Sequence, residues 1–133
     1  MGIFEIKMEE QKYKIGMELV EETVGKIILC RTPNNIITLN GKLVYDDMIK
    51  EQVEEDKDLF LRWLEGAGVE LDSMVGYHKD IPHNGITLGG AYAAFINNKL
   101  YVTGRSSSFG NINKNELEKC LSDSNINNRL YNL

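Results

Sequence analysis

The sequence predicts an α/β (α+β) fold, a single mixed, largely antiparallel sheet with two flanking helices. Three observations carry this expectation. Apolar and polar residues alternate from Phe4 to Glu9, and the same period returns from Tyr13 to Leu19, as half-buried strands require. An uninterrupted apolar run, Ile27-Ile28-Leu29-Cys30, has the length of a strand covered on both faces. Two other segments repeat their apolar residues at steps of three, four or seven, which marks the buried side of a helix.

The elements follow in chain order. Phe4, Ile6 and Met8 alternate with Glu5, Lys7 and Glu9, and Tyr13, Ile15, Met17 and Leu19 keep the same period, so residues 3–20 are expected to form a hairpin. Gly25-Lys26 opens the central apolar strand and Pro33-Asn34-Asn35 closes it. Ile36-Ile37-Thr38-Leu39 is read as a short strand that ends at Asn40-Gly41, a dipeptide that readily takes positive φ in a turn. From about residue 45 to 65, Met48, Ile49, Val53, Phe60, Trp63 and Leu64 mark a helix, with Asp46 or Asp47 as its cap and Gly66-Ala67-Gly68 as its stop. The acidic stretch from Glu51 to Asp58 leaves open one long helix or two pieces broken near Asp56.

Residues 71–103 read as a three-strand meander: Leu71 to Tyr77, Ile86 to Ile96, and Lys99 to Thr103. Its connections are Pro82-His83-Asn84-Gly85 and the two-residue turn Asn97-Asn98. Gly89-Gly90 interrupts the middle strand, where glycine signals a bulge or a close approach by other backbone or by a ligand. Asn113, with Glu116 three positions on, starts a last helix over about 113–122 whose Leu117 and Leu121 face the sheet. Residues 125–131 are a short final strand or a frayed tail. With neither an internal repeat nor a low-complexity linker, residues 1–133 read as one domain.

Composition narrows the functional classes. The 133 residues suffice for a real core, and a formal charge of −5 with a pI near 5.1 argues against a nucleic-acid or anionic-membrane surface. A basic pocket inside an acidic protein stays compatible with those figures. Cys30 and Cys120 show no metal-ligand spacing to each other or to a histidine, so both are expected to be free buried thiols. Acidic residues early in the chain and the lack of a long apolar run predict a soluble, cytoplasmic protein.

The stretch with the most chemical content is Gly104-Arg105-Ser106-Ser107-Ser108-Phe109-Gly110, between the strand Leu100-Tyr101-Val102-Thr103 and the last helix. Consecutive amides at a strand-to-helix transition form a concave nest for an anion, and short serines add hydroxyl donors while Arg105 adds a guanidinium. The plain alternative is an ordinary Gly/Ser connection.

Taken together, the Lys26-led apolar strand, the first helix, Leu88-Gly89-Gly90 and Gly104-x-Ser106-x-x-Phe109-Gly110 resemble the Janus/Ocnus family, the protein histidine phosphatases. The resemblance covers roughly residues 24–53 and 86–121. It implies a mixed sheet flanked by two helices, and a phosphate site built from a strand lysine and backbone amides, here Lys26 and Ser106, Ser107 and Ser108. The family's general base is a histidine near the start of the first helix; the matching region here reads Tyr45-Asp46-Asp47, or Glu55-Asp56 if the helix is shifted. The family's arginine after the glycines has Tyr92 near its place.

In-line attack by water on a phosphoryl group needs positive charge, amide donors and a base. Lys26, Gly104, Arg105 and Ser106 to Ser108 are the expected phosphate-binding residues, and His83 or His78 the expected proton-transfer groups, because histidine titrates in the useful range. Lys26 reaching solvent from a strand end, Arg105 pairing with a carboxylate, and both histidines serving only as loop residues are the alternatives. His78, Asp80 and His83 match no recognised ligand pattern, so no metal and no cofactor is expected. Asp46 is a further candidate base, at the cost of repelling a phosphate. The expected function is a phosphohydrolase-like protein that takes a phosphorylated small molecule or a phosphorylated protein side chain. A non-catalytic module binding a phosphorylated metabolite or nucleotide is the alternative, and a homo-oligomeric interaction protein a third class.

Overall fold

The computed structural model describes residues 12–53, 58–73 and 85–133. In chain order the elements are β1 (Tyr13–Ile15), β2 (Thr23–Arg31), β3 (Ile37–Tyr45), α1 (Ile49–Gln52), α2 (Asp58–Ser73), β4 (Ile86–Ile96), β5 (Lys99–Thr103), α3 (Lys114–Asp123) and β6 (Asn128–Tyr131). The strands form one sheet in the order β1-β3-β2-β4-β5-β6. Pairing is antiparallel across β3, β2, β4 and β5, and parallel where β1 meets β3 and β6 meets β5. The sheet is thus mixed and largely antiparallel, as its sequence predicts.

Alternation along β2 sends its side chains to two different cores. Ile27 and Leu29 face α3, where Leu117, Cys120 and Leu121 cover them together with Leu39, Ala91 and Val102. Val24 faces α2, where Phe60, Leu61 and Leu64 close over Ala94 and Tyr101. Phe60 meets Tyr101 edge-on at 4.8 Å between ring centroids, the geometry that aromatic quadrupoles favour. Farther along the α2 face, Ile28 and Cys30 are covered by Phe109 instead. Each fully buried Leu, Ile or Phe contributes about 1.5–3 kcal/mol relative to exposure, so β2, buried from Thr23 to Cys30, is the spine of the domain.

Several elements stand where the sequence places them. β4 and β5 run over the expected residues, and Asn97 and Asn98 turn between them with φ of 54° and 59°, the left-handed pair that matches hairpin twist. The Asn113 side chain accepts the Glu116 amide at 3.1 Å, capping α3. Asp46 accepts the Met48 amide at 2.9 Å ahead of α1. The final segment is a strand, β6, on the free side of β5.

Other expectations need correction. Asn40-Gly41 is not a turn: β3 continues through it to Tyr45, because nine consecutive pairings with β2 outweigh a local turn preference. The first helical region is two helices, with residues 54–57 between them outside the described set. α2 does not stop at Gly66-Ala67-Gly68 but runs to Ser73, so residues 71–73 are helical and not strand. A glycine costs about 1 kcal/mol in a helix interior, less than Phe60, Leu61 and Leu64 gain against the sheet. Of the expected hairpin, Tyr13–Ile15 is a strand, paired in parallel with β3; residues 3–8 and 74–77 lie outside the described set.

Candidate functional site

The loop after β5 is shaped by the glycines of β4. The β2–β4 register slips between Ile28 and Cys30, which makes a bulge of the β4 backbone at Leu88-Gly89. Gly89 takes φ +96°, and a Cβ there would collide with the Asn111 carbonyl oxygen. Only glycine combines that backbone angle with that closeness. Next to it, the Gly90 amide donates to the Gly110 carbonyl at 3.1 Å, and the Gly90 carbonyl accepts the Ser106 amide at 3.0 Å. The close approach expected at Gly89-Gly90 is therefore present, and it is backbone on backbone.

Within the loop, Ser106 is fully buried and acts as an acceptor hub. Its Oγ accepts the Ser108 amide at 3.2 Å and the Phe109 amide at 3.0 Å, and its carbonyl accepts the Gly110 amide at 2.9 Å. Four amides of the stretch, those of Ser106, Ser108, Phe109 and Gly110, are thereby used inside the protein. A serine hydroxyl that takes successive amides closes a turn where an open nest would point them at an anion. Ser107 and Ser108 are exposed and so is Arg105, while Gly104 turns the chain out of β5 with φ +80°.

Lys26 lies beneath this loop. Its side chain is fully buried, and its Nζ is 5.8 Å from the centroid of the Phe109 ring, a cation–π contact of about 0.5–2 kcal/mol. The ammonium is therefore directed toward the loop and not away from it. It sits on the α2 face between Val24, under α2, and Ile28, under Phe109, at the junction of the two apolar covers. Burying an ammonium costs several kcal/mol unless polar or anionic groups answer it, and Lys26 has further interactions within the chain.

The register extends this position into a polar row. Lys42 on β3 and Tyr92 on β4 are the direct partners of Lys26, and Thr103 on β5 is the partner of Tyr92. Thr103, fully buried, donates its hydroxyl to Glu65 Oε1 of α2 at 3.0 Å. Direct partners in a ladder share a face. Lys42, Lys26, Tyr92 and Thr103 thus cross four strands on the α2 side, with Val44, Val24, Ala94 and Tyr101 in the row on one side and Asn40, Ile28 and Gly90 on the other. Reading Asn40-Gly41 as a turn hid Lys42; the alternation of Ile37, Leu39 and Leu43 with Thr38, Asn40 and Lys42 is the signal that places it.

His78 and His83, the expected proton-transfer groups, lie outside the described residues. Asp46 is engaged at the start of α1. Among the described residues no group of three His, Cys, Asp or Glu side chains is arranged to hold a metal ion. Burial raises the thiols of Cys30 and Cys120 above their ordinary range, Cys120 to about 11, which makes both poor nucleophiles. Two surface grooves, one beside Tyr13 and Glu118 and one beside Leu19 and Asn127, include neither Lys26 nor the loop. Among the described residues no helix is long and apolar enough to cross a membrane. No family model matches the chain, and no curated protein matches it.

Proposed function

We propose that this chain binds a phosphorylated small molecule or a phosphorylated protein side chain beside loop 104–110, with Lys26 as the principal cation. The observation that carries the reading is the direction of Lys26, a fully buried ammonium 5.8 Å from the Phe109 ring of that loop. Arg105 and the exposed hydroxyls of Ser107 and Ser108 are the rim donors, and the resemblance to the Janus/Ocnus phosphatases supports the same ligand class. Between a phosphohydrolase and a binding module, the spent amides favour the module. Transition-state stabilisation of a phosphoryl group draws on unspent donors aimed at its oxygens, and the Ser106, Ser108 and Phe109 amides are engaged elsewhere. The phosphohydrolase reading places proton transfer on His83 or His78. Two buried thiols and an acidic balance fit a cytoplasmic setting without nucleic-acid or membrane partners.

Thermal shift with inorganic phosphate and a generic aryl phosphate, alongside a phosphate-release assay that includes phosphohistidine, tests the proposal. Stabilisation that disappears in Lys26→Met, with the aryl phosphate recovered intact, is the expected result. Release that vanishes in His83→Ala or His78→Ala would make the chain an enzyme. An identical response of wild type and Lys26→Met to every phosphate compound would overturn the site.

A further inference from the structure

We propose that the site takes a ligand with two adjacent anionic groups, of which pyrophosphate is the simplest, and that Lys42 is the residue that holds the second group. This rests on the phosphate reading given above for Lys26. Lys42 and Lys26 are direct cross-strand partners on β3 and β2, so their side chains leave the same face of the sheet side by side. Like charges directly opposite one another destabilise a sheet pair, and here one of the two is fully buried. Such a pair is favoured when an anion spans both ammonium groups. The neighbouring rows on this face carry no second cation beside them: the partners one step along are Val24 with Val44, and in the other direction Ile28 with Asn40. The lysine pair is therefore confined to one row, next to Tyr92 and to Thr103, whose hydroxyl is bonded to the Glu65 carboxylate.

The two lysines differ in a way that divides the roles. Lys26 is fully buried at the junction of the α2 and Phe109 covers, whereas Lys42 is only half-buried, one strand nearer the sheet edge. A ligand entering from the β3 side meets Lys42 first and seats its terminal phosphoryl group at Lys26. Both side chains already interact within the chain, so the anion binds by exchange with those contacts.

Isothermal titration of the full chain with inorganic phosphate and with pyrophosphate tests this directly, because the comparison on wild type needs no variant. Pyrophosphate is expected to bind about tenfold more tightly than phosphate, the gain one additional close charge pair supplies. Lys42→Gln is expected to erase that preference, weakening pyrophosphate binding more than phosphate binding, and Lys42→Arg to restore it. Phosphate binding that depends on Lys26 but shows no preference for pyrophosphate, or a preference that survives in Lys42→Gln, would overturn the two-anion inference alone. Failure of wild type to bind either anion would overturn this inference together with the Lys26 site.

Discussion

Gly90 and Ser106 are joined backbone to backbone: the Ser106 amide donates to the Gly90 carbonyl at 3.0 Å, and a Cβ on Gly90 would lie 2.9 Å from the Ser106 Cβ. Through this contact the glycine pair of β4 sets the conformation of the whole 104–110 loop. The loop in turn covers Ile28 and Cys30 with Phe109 and brings that ring to Lys26.

Ser106→Ala is expected to destabilise the domain by about 1–3 kcal/mol, since the part-buried Ser108 and Phe109 amides lose their acceptor. Urea unfolding gives the magnitude. Hydrogen exchange at residues 108 and 109 gives the cause, and unchanged protection there would show that Ser106 Oγ does not hold the turn.

At Gly89, alanine combines a left-handed φ of +96° with a collision at the Asn111 carbonyl. Backbone strain of about 1–3 kcal/mol and overpacking of about 1–3 kcal/mol both oppose it, so Gly89→Ala should rank among the most destabilising single changes in β4. A loss below about 1 kcal/mol in urea unfolding would contradict the bulge geometry.

Gly66→Ala should act in the opposite direction. Gly66 is an exposed residue inside α2, and nothing lies within 4 Å of the place an alanine methyl would occupy. Alanine there removes the helix penalty of glycine, about 0.5–1 kcal/mol. A rise in Tm of a few degrees is the expected reading.

Stability should fall with pH across the range in which only the unfolded chain loses the Cys120 proton. Burial raises this thiol from 9.0 to about 11, so above pH 9 the unfolded state binds fewer protons than the folded one. The decline begins near the unfolded value and levels off once pH has passed the folded one; below pH 9 this group adds no slope. Urea midpoints of wild type and Cys120→Ala across that window isolate its share. Parallel curves for the two proteins would remove Cys120 as the cause.

What the sequence made legible was local. The Asn97-Asn98 turn, the strands on either side of it and the Asn113 cap carry their own short-range chemistry, and each stands where it was expected. Asn40-Gly41 and Gly66-Ala67-Gly68 misled for the same reason. Both are strong local breakers, and both were overridden by contacts outside their own stretch: the β2 ladder for one and the packing of the apolar face of α2 on the sheet for the other. Lys26 was legible as a residue, but its neighbour Lys42 depended on register. The serine stretch suited an open nest and a closed turn equally well. The choice was made by Gly90 and Asn111, through hydrogen bonding and closeness that sequence spacing does not encode.

The pairing of Lys26 with Tyr92 lies on the seam between β2 and β4, and each of those strands belongs to its own hairpin, β2 with β3 and β4 with β5. Either hairpin can assemble from nearby residues; the seam requires segments far apart in the chain to meet. On the proposed reading, an anion held by Lys26 under Phe109 would therefore read the joined molecule and neither half. Ligand-induced protection is expected to spread over both hairpins at once, and the seam is the natural line along which two complementary fragments would regain binding only on reassembly.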